Sequence, residues 1–599
     1  MSDATPIDSL NETVSHALLF NKKPLPITFE IYSISVHKEI NKISRAVIKI
    51  LGGNPKLNLF EEAESNLFKP GTDVEIKMGY NQHNSSVFQG IVEKNGLSIR
   101  EGFHEYKSKR LLVIECVDKA IEMTKTYTSD IYEAKKDSEI ITSLISKAGL
   151  KKTVTATTVK HAFLPKYNTN DWNFMLQRAN SNGLIVINSD NAITVKKPLG
   201  TGSPTLTVKH GDGLLDFEGK IDGGDQLNAL QFSGYDPFQK KSLNSNASEP
   251  KLTAQGDLKG KNMALNSSPS KTEVIVPQPL DTAELAEIAN ASLTNSRLKS
   301  VHGMAKVKGI KTGKIDSLIK LTGFGSRLDG SCYVTSIQHE LFRGDFFTTF
   351  GFGLKDTLNG QNKGIDISKL VPPINGLHVG EVKKIDKDPD NEYRIKVLIP
   401  ALKSSGDGLW ARLTHFYTSP GAGSFFIPEV KSQVVVSFIN NDPRYPVILG
   451  GLYTKTTKPY TEIKAKNEKK AFVSKEKLTI EFDEKDKDII IKTSDKNKIT
   501  ISEKKKGITI EDQNGNEIIT SKSGISISSK KQIKISSKAD VSITGSKGVT
   551  ISGKSGKGLN FDGSKVNVKS KAKVNVKGSG VDLNGSGAIN IKGGSVNIN

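Results

Sequence analysis

At 599 residues, with a formal net charge of +21 and 36% hydrophobic residues, the chain is too long for one core and should divide into about three to five domains. Its two cysteines, Cys116 and Cys332, exclude a disulfide framework and are too few for a thiolate metal cluster. No segment approaches the roughly 18 apolar residues needed to span a bilayer. The first thirty residues also lack a basic stretch followed by an apolar core, so a chain made in a reducing cytoplasm without a signal peptide is expected.

Residues 1–25 read as an N-terminal extension and 26–370 as a hub of β-barrels with helices. Up to about Lys135 the alternating, β-branched runs ITFEIYSISV from Ile27, RAVIKIL from Arg45, VEIKMGY from Val74, VFQGIV from Val87 and LLVIECV from Leu111 predict strands of a barrel or sandwich. Two amphipathic helices follow. In SEIITSLISKAG, Ser138 is placed to cap, Ile141, Leu144, Ile145 and Ala148 form one face, and Gly149 ends the helix. In NDWNFMLQRANSNG the stripe is Trp172, Met175, Leu176 and Ala179, with Gly183 as terminator. Residues 239–280 are polar and read as a long exposed excursion. A helix resumes at Thr282 with Leu285, Ile288, Ala289 and Leu293, and strands return from Ile319, Cys332 and Phe346. With β-elements on both sides of the excursion, one discontinuous domain and two small barrels are both open.

Pro372 and Pro373 mark the next boundary. Residues 371–455 hold five short strands (HVGEVKKI, YRIKVLIP, LWARLTHF, QVVVSFIN, YPVILGGL) separated by turn-forming DPDN, SSGDG, SPGAG and NNDPR, the size and pattern of a small closed barrel of the OB type. Residues 456–473 read as a linker.

From residue 474 to 599 the composition changes. Apolar-polar-apolar triplets recur at Ile499/Ile501, Ile508/Ile510, Ile525/Ile527, Ile533/Ile535, Val541/Ile543, Val549/Ile551, Leu559/Phe561, Val566/Val568, Val574/Val576, Val581/Leu583, Ile589/Ile591 and Val596/Ile598. Their mean period from Ile525 on is about 8 residues. Two apolar side chains per octad cannot cover a core alone, so stacking is required. Three intertwined chains, each giving one short strand per face, suit this period better than a single-chain solenoid and leave no lateral sheet edge. The fold class expected is therefore mainly β with some α: a β-barrel hub, an OB-type barrel and a C-terminal triple-stranded β-helical needle in a homotrimer. From Ser521 to Asn599 there are 14 Lys and 3 Asp, with no Arg or Glu, a net charge of +11, and one aromatic, Phe561. Nucleic-acid reading favours Arg and stacked aromatics, so no nucleic-acid partner is expected; a solvated lysine coat is the first reading and attraction to an anionic surface the second.

Chemical motifs are few. Residues 548–555, GVTISGKS, match the phosphate-loop pattern, but Val549/Ile551 is a needle triplet and no helix can follow it. His339 and Glu340 begin a zinc-protease spacing that fails at Arg343, which leaves a strand-end histidine. Asp388 and Asp390 flank Pro389 as turn formers. No catalytic, cofactor or metal residue is assigned, and a non-enzymatic chain is expected.

The run DPDNEYRIKVLIP from Asp388, with Gly380, Trp410, Arg412, Pro428, Glu429 and NNDPRYPVILGGLY from Asn440 to Tyr453, resembles the VgrG family, the spike proteins of type VI secretion, similar to contractile phage tail hubs and needles. LTGFGSRLDGSCYVTSIQHEL from Leu321, FFTTFGFGL and NDWNFMLQRANSNG look like the family's hub. Two departures stand out: Lys431 and Tyr393 occupy positions where the family usually has glycine. The resemblance implies a structural spike that caps an Hcp-like tube hexamer, contacts baseplate proteins, receives a PAAR-type tip protein, punctures a target membrane, carries effectors or their adaptors, and is exported. Val596, Asn597, Ile598 and Asn599, where the repeat ends, are the candidate tip dock. A phage or phage-derived extracellular injector is the first alternative. The second, a β-solenoid polysaccharide-degrading enzyme, is disfavoured by the needle's poverty in acids and aromatics.

Overall fold

The computed structural model describes residues 12–53, 60–100, 109–253, 255–258, 260–265, 267–354, 372–402, 408–553, 556 and 558–598. The chain forms two compact units, Met1–Lys458 and Pro459–Asn599.

In the first unit the strands on either side of the polar excursion join in one discontinuous 13-stranded sheet. Gly330–Phe342 pairs antiparallel with Glu30–Glu39 in the register His339↔Val36, and that strand continues the order through Arg45–Leu51, Lys109–Val117, His83–Arg100, Asp73–Tyr80 and Val14–Phe20. Val14–Phe20 lies within the stretch read as an extension. Its alternation buries Leu18 and Phe20, and it closes onto Asp73–Tyr80 from Val14↔Tyr80 to Phe20↔Val74. The core on one flank gathers Phe20, Ile34, Ile48, Ile50, Phe68 and Phe88; on the other, Val208, Leu318, Ile319, Phe350 and Phe352.

Helix α1 (Asp137–Lys147) packs on α2 (Asp171–Ser181) through Ile141, Leu144, Ile145, Trp172, Met175 and Ala179. Ser138 does not cap α1. It lies in the first turn, exchanging hydrogen bonds with Thr157, while Lys136 takes the cap position and donates its backbone N–H to Glu139, 2.8 Å. Asn170 caps α2 by accepting from the Asn173 N–H, 2.8 Å, and Asp281 caps α3 (Thr282–Lys299) by accepting from the Glu284 N–H, 2.7 Å. The polar excursion is partly structured: Lys241–Asn246 and Thr272–Ile275 flank Leu230–Asp236 in a three-stranded sheet. Leu230 and Phe232 from that sheet pack on Leu285, Ile288 and Leu293 of α3.

His378–Lys384, Ile395–Leu398, Leu409–Leu413, Pro446–Leu452 and Gln433–Phe438 close a five-stranded barrel filled by Val382, Ile395, Val397, Leu409, Ala411, Val434, Val436 and Ile448. Gly380 is required there, because a Cβ would stand 2.5 Å from Val397 Cγ1. The two departures from glycine keep a glycine-like backbone: Tyr393 has φ +59° and Lys431 φ +73°. Left-handed conformation strains a side chain with a Cβ. Asp388 anchors the loop before Tyr393, accepting from the backbone N–H groups of Glu392 and Arg394, 2.9 and 3.1 Å, and from the Arg394 side chain. Burial opposes its ionisation, but these donors hold its carboxyl at about 2.

Buried charges tie α1, α2, α3 and the barrel together. Arg178 donates to Asp137 through Nε, 2.6 Å, and Nη2, 2.9 Å, and lies 3.9 Å from Glu284. Glu284 accepts from Arg444 Nη1, 2.9 Å, and Arg444 also holds Asp442, 2.7 Å. The Tyr445 hydroxyl donates to the Pro279 carbonyl and the Asn440 amide to that of Pro277, so the end of the excursion seats the barrel's last loop. His161 and Asn182 complete the Asp137 shell at 3.0 and 2.8 Å.

Burial alone would raise the Asp137 pKa, but the Arg178 charge and the hydrogen bonds from His161 and Arg178 hold it well below the usual carboxylate range. A depressed folded pKa gives stability that is complete above the unfolded value of about 3.9 and is lost as pH falls below it. Acid melts should therefore show the first unit weakening below about pH 4, while Arg178→Met should cost about 3–5 kcal/mol at neutral pH by leaving Asp137 buried and unpaired. Replacing Tyr393 or Lys431 by glycine should raise stability by about 0.5–1 kcal/mol each through relief of the left-handed backbone, read as an upward shift in Tm.

Candidate functional site: two open isoleucine rows

The second unit opens with seven strands, Lys469–Val473, Thr479–Asp483, Asp488–Lys492, Lys498–Ser502, Gly507–Glu511, Glu517–Ser521 and Gly524–Ser528, each antiparallel to the next. The sheet thus starts inside the stretch read as a linker. The path expected for three interwound chains, one strand per face and then onward, does not describe residues 469–528. These strands return on themselves, because the segments between them turn tightly with positive φ at Lys477, Lys487, Lys496, Lys506, Gly515 and Gly524. No strand follows Ser528 among the described residues.

The register aligns the apolar positions. One row runs Phe472↔Ile480↔Ile491↔Ile499↔Ile510↔Ile518↔Ile527, and a second runs Phe482↔Ile489↔Ile501↔Ile508. Both rows lie on one face, since residues two apart share a side. That face is open: Ile480, Ile491, Ile499 and Ile510 remain 38–46% exposed. The opposite face carries the mixed row Glu481↔Ile490↔Thr500↔Thr509↔Ile519, with polar contacts at its Glu481 end. Glu481, 2% exposed, accepts from Lys469, 2.6 Å, and the Tyr460 hydroxyl, 2.7 Å, with Lys492 at 3.5 Å. Desolvation opposes its ionisation, but these donors keep its pKa below the usual range.

Beyond Ser528 each apolar pair is more open still. From Ile533 to Ile598 the first member is about half exposed and the second always more so, as in Ile533 50% and Ile535 71%, or Val574 52% and Val576 71%. Exposed apolar area on this scale marks a surface for another protein or a membrane. Of the candidate tip dock, Val596, Asn597 and Ile598 end this series with Ile598 87% exposed, and Asn599 lies outside the described residues. Sequence reasoning began the triplets at Ile499 and missed Ile480/Phe482 and Ile489/Ile491, although both pairs carry the same two-residue spacing.

The chemical motifs set aside on sequence sit apart from this surface. His339 stands inside Gly330–Phe342 rather than at a strand end, buried, with Nδ1 3.0 Å from Thr348 Oγ1, and burial lowers its pKa to about 3. Cys116 and Cys332 are buried free thiols, and burial pushes Cys116 up to about 12. Among the described residues no group of three or more His, Cys, Asp or Glu could hold a metal ion, no helix is long and apolar enough to cross a membrane, and no helix follows Val549. Of the 548–555 loop motif, residues 554 and 555 are outside the described set.

Comparison with known proteins gives three family matches along the chain. A family model for the Alg8 N-terminal domain matches residues 10–342, one for the type VI secretion system/phage-baseplate injector OB domain matches 378–453, and one for the phage baseplate V C-terminal trimerisation domain matches 488–555. The second spans the closed barrel and the third most of the isoleucine rows. The type VI secretion system spike protein VgrG3 of Vibrio cholerae serotype O1 is 37% identical over 76 residues, 12% of this chain and only 8% of that protein. A chain of the half-lidded Francisella PdpA-VgrG complex shares the fold at TM-score 0.51 and 11% identity, covering 87% of this chain and 88% of that one. The lidded complex gives 0.50 at 11% identity, covering 87% and 80%.

If the open rows are an oligomer interface, Ile499→Asp with Ile510→Asp should abolish assembly of the full chain, each charge costing at least about 2 kcal/mol at a covered apolar site. The melting of the first unit should stay unchanged; both are read by light scattering and calorimetry. The Alg8 N-terminal domain match alone spans more than half of the chain, so the protein belongs to that family, and its closed barrel and residues 488–555 are similar to the OB and trimerisation domains of type VI secretion and phage-baseplate spikes.

Proposed function

We propose that the protein is the homotrimeric spike of a contractile injection machine of the type VI secretion kind, with a structural and delivery role and no catalysis. The observation that carries this is the pair of isoleucine rows, an apolar face that one chain leaves open. The trimerisation-domain match over residues 488–555 supports three copies as the means of covering it. In this reading the three C-terminal units wrap their apolar pairs inward into a needle, and the first unit caps an Hcp-like tube hexamer and meets the baseplate. A PAAR-type tip protein docks at Val596, Asn597, Ile598 and Asn599. Contraction drives the needle through a target membrane, and effectors travel on the spike, which is made in the bacterial cytoplasm and exported. The association of VgrG with PdpA in the Francisella complex supports cargo or partner binding by a chain of this fold.

A phage-derived extracellular injector remains the second reading, supported by the OB-domain model, whose description names both machines. A non-catalytic role is supported by the placement of the histidines, all at or before His415, which leaves the needle without an imidazole.

The deciding measurement is mass in solution. Three times the chain mass is expected, and a stable monomer at micromolar concentration would overturn the reading.

A further inference from the structure

The C-terminal unit contains two halves with the same number of lysines and opposite electrostatics. Residues 459–520 hold 14 Lys and 13 Asp or Glu, and residues 521–599 hold 14 Lys and 3 Asp. In the first half the lysines meet carboxylates: Lys469–Glu481 at 2.6 Å, Lys504–Asp486 at 2.7 Å, Lys487–Glu503 at 2.9 Å and Lys470–Glu484 at 3.1 Å. In the second half the described lysines, Lys522, Lys530, Lys531, Lys534, Lys538, Lys547, Lys565, Lys569, Lys571, Lys573, Lys577 and Lys592, are all exposed, and the three carboxylates cannot balance them. A coat that served solubility alone would not require the acids to fall to three aspartates past Glu517.

Alternation along the chain sets which side these cations take once the stretch is drawn into a strand. Lys565 and Lys569 stand one residue outside Val566/Val568, and Lys573 and Lys577 one residue outside Val574/Val576. In a strand, residues two apart share a side, so when covering of the apolar pairs draws this stretch into strands the lysines fall with Asn567 and Asn575, opposite to the apolar pair. Whatever covers the valines therefore leaves the lysines outside, and five lysines fall between 565 and 577 with one acid, Asp562, nearby.

We propose that the outward face of residues 522–592 is a binding surface for an anionic phospholipid bilayer, in which lysine ammonium groups engage headgroup phosphates. Lysine acts on phosphate as a point charge and needs no fixed geometry, which suits a fluid array of headgroups. Clusters of four to eight lysines bind anionic membranes, each adding about fivefold to partitioning near the surface. A nucleic-acid site would call for arginine forks or stacked rings, and this face offers no Arg and one aromatic, Phe561. The surface goes beyond the spike reading, because puncture by force needs no charge.

The test uses the full chain in flotation with phosphatidylcholine vesicles that contain or lack about 25% phosphatidylglycerol, a composition within the range in which polybasic segments bind. Binding is expected only to the anionic vesicles, and it should fall at least about tenfold when salt rises from about 0.05 to 0.5 M, as the Debye length shrinks. Lys565→Gln with Lys569→Gln, Lys573→Gln and Lys577→Gln should weaken it at least about a hundredfold. Lys475→Gln with Lys477→Gln, Lys496→Gln and Lys506→Gln removes equal charge from the other half and should leave it within about twofold of the parent. Mass by light scattering, read on the same samples, separates loss of the surface from loss of the oligomer. The proposal is overturned by equal binding to neutral vesicles, by equal loss in the two variants, or by a short DNA duplex that outcompetes the vesicles. Should the first variant fail to assemble, the salt dependence and lipid selectivity of the parent chain decide alone.

Discussion

The constraint on which the C-terminal unit depends is that a strand has two faces and this chain can close only one of them. Residues 469–528 satisfy their backbone by antiparallel pairing, and the face opposite the isoleucine rows is tied at one end by salt bridges to Glu481. The apolar face has no second layer within the chain, and a sheet with one apolar face must bury it against something. Burial of an isoleucine or valine contributes about 1.5–3 kcal/mol when complete, so rows left nearly half open forgo a large part of the free energy that could order them. Past Ser528 no strand pairing is present among the described residues, and the apolar pairs are the source of order that covering could supply. Covering from outside the chain is therefore a condition of the needle's structure and not an addition to it.

The first unit meets the opposite problem, with charges inside. Arg178 and Arg444 are both removed from water, and each would be strongly destabilising if its carboxylates were absent. Glu284 lies between the two guanidiniums, so α3 cannot shift against α2 without also disturbing the barrel loop that carries Arg444. A fully partnered network of this kind specifies one arrangement of helices and barrel where apolar packing alone would tolerate several. The polar excursion acquires a structural role here, because the Pro277 and Pro279 carbonyls receive Asn440 and Tyr445.

Legibility in the sequence followed the range of the interactions. The five barrel strands and the three helices were readable because alternation and capping are local: Val434 and Val436 are buried as their spacing requires, and Gly149 and Gly183 adopt positive φ just beyond α1 and α2. Strand Val14–Phe20 was not read, since it lies in a stretch taken for an extension and its partner is some sixty residues away in Asp73–Tyr80. Ser138 was a plausible cap by type, but Thr157 claims it from a distant loop. The buried ion network links residues from Asp137 to Arg444, and no spacing rule connects them. In the needle the apolar period was legible, whereas the hairpin return was not. Its turns use Lys477, Lys487, Lys496 and Lys506 at positive φ, where glycine or asparagine is the usual signal.

Those lysines explain how one residue type can serve two halves of one unit differently. Between residues 469 and 528, lysines occupy tight turns or face carboxylates across neighbouring strands, so the segment is held locally and its net charge stays small. Beyond it, glycine, serine and asparagine replace the turn lysines, acids are nearly absent, and the remaining lysines repel one another. Repulsion between exposed charges is screened over about 8 Å at physiological salt, so it opposes order only weakly, while every apolar pair brought under cover favours it. The proximal sheet can hold its register within a single chain. The distal half has no partner within the chain to set its register, and its lysines alternate in sequence with its exposed valines.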